Sequence, residues 1–97
     1  MGSEKKTWKL KIANSAKKSI ESLNKDFRKE IIQNLQSLVE DPFQGDIERI
    51  EGKKDFYRLR IGSYRLYFKV LRKSRTIEVP LFDSKGEIKL RKIQRLK

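Results

Sequence analysis

The sequence predicts an α+β domain of order β-α-α-β-β-β, an αα-hairpin packed on one face of a small, mainly antiparallel sheet. Three observations lead there. A short segment near the start alternates apolar and polar residues, two following stretches repeat their apolar residues at helical spacing, and the run from Phe56 to Phe82 alternates again between turn residues. With 97 residues, of which 36% are hydrophobic, the chain is expected to fold as a single domain spanning 1–97 with one modest core.

Trp8-Lys9-Leu10-Lys11-Ile12 reads as the first strand. Asn14 or Ser15 is placed to cap a helix running to about Leu23, with Ala16, Ile20 and Leu23 on one stripe. Asn24-Lys25-Asp26 opens a second helix, in which Phe27, Ile31, Leu35, Leu38 and Val39 share a face. Pro42 ends it, because proline disfavours helical geometry at Asp41 before it. Phe43 to Lys54 is expected to be a loop with Gly45 and Gly52, pinned by Ile47 and Ile50. Strands at Phe56–Ile61, Tyr64–Leu71 and Thr76–Phe82 then form a meander, with a bulge or strand end expected near Pro80. Residues 1–6 are expected to be disordered, and 87–97 to form a basic C-terminal segment, either a docked helix or an arm.

Composition excludes several kinds of chemistry. Cysteine is absent, so there are no disulfides or thiolate metal sites, which fits a reducing, cytoplasmic setting. Histidine is absent as well, so acid–base work must fall to Lys, Arg, Tyr, Asp or Glu. No metal or organic cofactor has candidate ligands, and none is expected. No apolar run approaches the roughly 20 residues of a membrane span, and no hydrophobic stretch of a signal peptide follows the first charges. Twenty-five Lys and Arg against thirteen Asp and Glu give a net charge of +12, which calls for a polyanionic partner. A solvated surface rich in Lys and Glu, as in thermophilic proteins, is the plainer explanation for the bulk of that charge.

The hairpin around Gly62-Ser63 sorts the charges further. A glycine-first pair suits a two-residue type II′ turn, which places Ile61 opposite Tyr64. Leu59 then faces Leu66 and Tyr57 faces Phe68 on the core side. On the other side Arg60 opposes Arg65, Arg58 opposes Tyr67, and Phe56 opposes Lys69. Like charges set directly across a sheet are destabilising, by roughly 0.2–1 kcal/mol. An anion bridging Arg58, Arg60 and Arg65 would offset that, with Tyr67 beside them to stack on a base and Lys69 further along. Splayed, solvated guanidinium groups are the alternative. A register slip of one residue would turn the arginines inward, which the cost of burying charge forbids.

The same residues resemble the RelE/ParE toxin superfamily. The resemblance lies in Asp41-Pro42, the Gly52 step, the run Asp55-Phe56-Tyr57-Arg58-Leu59-Arg60-Ile61-Gly62-Ser63-Tyr64-Arg65-Leu66-Tyr67, and the closing stretch Glu78-Val79-Pro80-Leu81-Phe82-Asp83-Ser84-Lys85-Gly86-Glu87-Ile88-Lys89. It implies a toxin of a type II toxin–antitoxin system that cuts mRNA on the ribosome and is held inactive by a cognate antitoxin. For ParE-like members it implies inhibition of DNA gyrase instead. Arg58 and Arg60 would match a basic pair beneath the substrate backbone, and Arg65 the arginine that braces the scissile phosphate. Lys85 and Lys89 would sit where relatives carry a catalytic arginine and a tyrosine. Those two positions depart from the family pattern, since lysine lacks the two-pronged phosphate grip of arginine and the ring of tyrosine. Lysine chemistry, weakened activity with binding of RNA or antitoxin only, and residues changed to abolish toxicity all stay open.

Cleavage by the resemblance's route needs the 2′-OH deprotonated, the phosphorane charge stabilised and the leaving oxygen protonated. A lysine of ordinary pKa, about 10.4, is a poor base at neutral pH, but neighbouring cations lower that value. Lys85 or Lys89 beside Arg58, Arg60 and Arg65 is thus the expected catalytic group. Glu78 is a rival base only if strand register puts it on the same side, and Asp83 reads as a turn residue.

Overall fold

The computed structural model describes residues 7–84. Lys85, Lys89, the expected disorder at 1–6 and the basic segment 87–97 lie outside the described residues. The elements are β1 (Lys9–Ile12), α1 (Asn14–Glu21), α2 (Lys25–Glu40), β2 (Ile47–Arg49), β3 (Phe56–Ile61), β4 (Tyr64–Leu71) and β5 (Thr76–Asp83). They form one five-stranded sheet in the order β1-β5-β4-β3-β2, with β1 parallel to β5 and every other pair antiparallel.

The expected fold class holds, with one strand more than the sequence suggested. Ile47–Arg49 pairs with β3 where a loop was expected. Three residues are too few to show a period of two, and the signal is the pairing itself: Ile47 sits opposite Leu59 and completes the core row at the sheet edge. Gly45 at φ +96° bends the chain into this strand, a backbone region open to glycine, and the Ile47 N–H donates to the Gly45 carbonyl at 3.0 Å.

The helices also differ in detail from expectation. The α1 N-cap is Ala13, in extended geometry and with no side-chain cap bond, and the helix ends at Glu21, two residues before Leu23. The α2 cap is as anticipated, since the Asn24 side chain accepts from the Phe27 N–H at 3.1 Å. Asp41 is extended before Pro42, so the helix stops at Glu40.

Both helices cover one side of the sheet. Ala16 and Ile20 of α1 and Ile31, Leu35 and Leu38 of α2 pack in one cluster with Leu59, Ile61, Leu66, Phe68, Val70, Ile77, Val79 and Phe82. Tyr57 stacks on Phe68, with ring centroids 5.5 Å apart. The Gly62-Ser63 turn delivers the predicted register from Ile61–Tyr64 down to Phe56–Lys69. Gly62 has φ +62°, as a type II′ turn requires of its first central residue. The irregularity expected near Pro80 is present: between the Tyr67–Leu81 and Lys69–Glu78 pairs, β5 holds one residue more than β4.

Candidate nucleic-acid interface

The face turned away from the helices is organised in rows that run across the strands. One row sets Asp83 opposite Arg65 and Arg65 opposite Arg60. The next sets Leu81, Tyr67, Arg58 and Glu48 side by side, from β5 through β4 and β3 to β2. A third sets Lys11, Glu78, Lys69 and Phe56 in line. Alternation along β3 and β4 therefore puts Arg58, Arg60, Arg65, Tyr67 and Lys69 on one face.

Two of the three arginines are engaged by the chain's own carboxylates. Arg58 donates through Nη2 to Glu48 Oε1. Arg60 Nε lies 3.9 Å from Asp46 Oδ2, and its backbone N–H donates to the Asp46 carbonyl at 3.0 Å. Both guanidinium groups are thus drawn toward the β2 edge, so the expected convergence of three arginines on one point is not what the side chains do. The cause is local: Asp46 and Glu48 are two residues apart, as are Arg60 and Arg58, and antiparallel pairing brings opposite charges together. Arg65 has no carboxylate bonded to it among the described residues, and it faces the buried Asp83 across the ladder.

The Arg58 environment raises its pKa above the ordinary arginine value. Partial burial acts to lower it, and is outweighed by hydrogen bonding to Glu48 and by the Tyr67 phenol. Its Nε is buried and makes no hydrogen bond among the described residues. A buried donor left unpaired costs about 1–3 kcal/mol.

Tyr67 is not the exposed stacking ring that was expected. It is 2% exposed, in a small cluster with Ile50, Phe56 and Leu81. The outer face has an apolar patch of its own, formed because Phe56, Tyr67 and Leu81 recur at the same side of three strands and Ile50 folds over them. The ring is therefore a packing element under Arg58.

Lys69 is half-buried between Phe56 and Glu78. Glu78 does lie on the arginine side of the sheet, but in register it is flanked by Lys69 and Lys11, beyond the bulge from the arginine rows. Glu48 and Asp46 are the residues that sequence reasoning missed. The matching two-residue spacings of Asp46-Ile47-Glu48 and Arg58-Leu59-Arg60 were the available signal. Among the described residues no group of three or more His, Cys, Asp or Glu is placed to hold a metal ion, and no helix is long and apolar enough to cross a membrane.

The family model for the ParE toxin of type II toxin–antitoxin systems matches residues 10–87. The chain belongs to the RelE/ParE toxin superfamily. No curated protein sequence matches this RelE/ParE toxin. Among solved structures it is similar to archaeal RelE in the RelE–RelB complex from Pyrococcus horikoshii, at 26% identity and TM-score 0.73, covering 84% of this chain and 99% of that one. A mutant of the E. coli toxin RelE in the free state shares 19% identity at TM-score 0.75, over 94% of this chain and 99% of that chain. The toxin–antitoxin complex RelBE2 from Mycobacterium tuberculosis includes a chain 13% identical at TM-score 0.69, covering 81% and 99%. The two less similar chains speak for the fold of this toxin, two helices on a five-stranded sheet.

Proposed function

We propose that this toxin is an endoribonuclease that cuts mRNA in the ribosome and so inhibits translation. The observation that carries the reading is the set of three arginines, Arg58, Arg60 and Arg65, on the sheet face left open by the helices. Arginines at such a site stay charged and stabilise the transition-state charge of a phosphate. The ion pairs to Asp46 and Glu48 do not close the site. Asp46 and Glu48 are largely exposed, at 74% and 60% of their side chains, and exposed pairs are worth only about 0–1 kcal/mol, so a phosphate can displace them.

In this reading Arg65 braces the scissile phosphate, Arg58 and Arg60 hold the backbone beside it, and Lys69 extends the cationic track. Lys85 and Lys89 supply the proton transfers, and the ribosome orients the RNA that so sparse a site cannot align alone. Attack by the 2′-OH leaves a 2′,3′-cyclic phosphate or its hydrolysed 3′-phosphate. No cofactor takes part. A cognate antitoxin restrains the toxin, a reading supported by the relatives crystallised with RelB-type partners.

The test is to add the purified chain to translating ribosomes and map the 5′ ends of the message. Codon-phased cuts that disappear in Arg65→Gln support the proposal, whereas uncut message overturns it. Lys85→Arg with Lys89→Tyr belongs in the same assay: a large gain in cutting would mark the present chain as a weakened enzyme. A second reading, non-catalytic inhibition of DNA gyrase, is favoured by the match to the ParE family model and by the carboxylates already seated on Arg58 and Arg60. Supercoiling loss with intact message would select it.

A further inference from the structure

At the opposite end of the arginine-bearing face lies a cleft of about 740 Å³ between two turns. One wall is the turn that carries Lys53 and Lys54, the other the β4–β5 turn with Arg72 and Lys73, and Lys69 stands between them. The walls are fixed in place. The Val70 N–H donates to the Asp55 carbonyl at 2.9 Å, and Asp55 holds a left-handed φ of +53° that turns the chain into β3. Two buried residues also line it, Phe56 of the outer apolar cluster and Val70 of the main core.

The charge balance of this cleft differs from that of the arginine rows. It is lined by four lysines and one arginine, against one carboxylate, Asp55. That carboxylate is already taken, since Arg72 donates to Asp55 Oδ1 from Nε at 3.2 Å and from Nη2 at 3.1 Å. Of the lysines, Lys69 stands opposite Glu78 of β5 in the ladder, and Lys54 and Lys73 are exposed. Lining one cleft with lysines is electrostatically unfavourable unless an anion or solvent compensates.

The cleft is continuous with the arginine rows. Lys69 lies four residues beyond Arg65 on the same face of β4, about 13 Å away at the rise of an extended strand. Lysine ammonium groups act as mobile point charges suited to a phosphate backbone of no fixed sequence. Resting on the ribonuclease reading, we infer that this cleft is a second RNA subsite, which holds backbone phosphates of the same strand after it leaves the arginines. An acidic peptide would satisfy the charge, but would give no reason for the cleft to share a face and a strand with the arginine rows.

Fluorescence anisotropy with a labelled trinucleotide and a labelled decanucleotide of single-stranded RNA, across a salt series, tests this. Lys54→Gln/Lys73→Gln changes two exposed side chains of the cleft. The double variant is expected to bind the decanucleotide several-fold more weakly and the trinucleotide as before. Its slope of log affinity against log salt should fall by about 1.4, because each lost contact to a single strand contributes about 0.7. An unchanged decanucleotide slope in this variant, alongside a reduced slope in Arg58→Gln/Arg65→Gln, overturns the subsite and leaves the ribonuclease reading standing. Equal weakening of both oligonucleotides overturns it too, since the effect is then general charge. Unaltered RNA binding with lost binding of a poly-glutamate peptide assigns the cleft to a protein partner instead. Failure of the unaltered chain to bind either RNA overturns the subsite, while the ribonuclease reading is decided separately by cutting of message on translating ribosomes.

Discussion

Glu48 of the β2 edge strand and Arg58 of β3 face one another across the ladder and are joined as an ion pair. Any phosphate that reaches Arg58 must first compete with that carboxylate. Glu48→Gln should therefore raise affinity for single-stranded RNA several-fold, while thermal stability changes by less than about 1 kcal/mol, the usual worth of a partly exposed pair. Anisotropy and a melting curve measure the two. Weaker RNA binding in the variant would mean that Glu48 aligns Arg58 for its ligand.

Arg65 stands between a like charge, Arg60, and an opposite one, the buried Asp83, so function and stability should respond to its loss by very different amounts. Arg65→Thr removes the repulsion and the attraction together, and the stability of the fold should change by less than about 1 kcal/mol. The same change removes a transition-state contact, and if that contact supplies about 3 kcal/mol, cutting of ribosome-bound message falls on the order of a hundredfold. Denaturant unfolding and a single-turnover cleavage assay separate the two effects. A variant both less stable and fully active would assign Arg65 a purely structural role.

Tyr67 tests where the outer face stops being a ligand surface. Its ring is buried against Ile50, Phe56 and Leu81, so Tyr67→Ala should lose about 3–5 kcal/mol, the range seen for large aromatic truncations. Tyr67→Phe keeps the ring and gives up only the phenol near Arg58, so it should lose about 1 kcal/mol. Chemical denaturation measures both. An alanine variant of native stability that binds RNA poorly would restore the stacking role.

How far the sequence could be read depends on the kind of signal involved. The hairpin was legible because Gly62-Ser63 fixes a register, and a register sorts every side chain of β3 and β4 onto one of two faces. The helices were legible by their apolar stripes, although the caps were not equally so: Asn24 binds its helix end and Asn14 does not. β2 was hidden because three residues carry no periodicity, and with it went the partners of Arg58 and Arg60. Tyr67 was misplaced for a different reason. Alternation assigns a residue to a face but does not say whether that face builds a second core, and Ile50 comes from a segment whose path no pattern specified.

Gly62 is where the face assignment can be challenged most directly. Its φ of +62° lies in a region that costs other residues about 1–2 kcal/mol, yet nothing lies within 4 Å of where a Cβ would stand. Gly62→Ala should thus destabilise the toxin through the backbone alone, by at least about 1 kcal/mol, with no steric clash to relieve. Because the turn holds Arg60 opposite Arg65, the folded fraction of the variant should still bind RNA with unaltered affinity. Denaturant unfolding followed by anisotropy below the transition checks both halves. An RNA affinity that drops while the fold stays intact would show that the alanine lets the hairpin choose another register, one in which Arg60 and Arg65 no longer share a row.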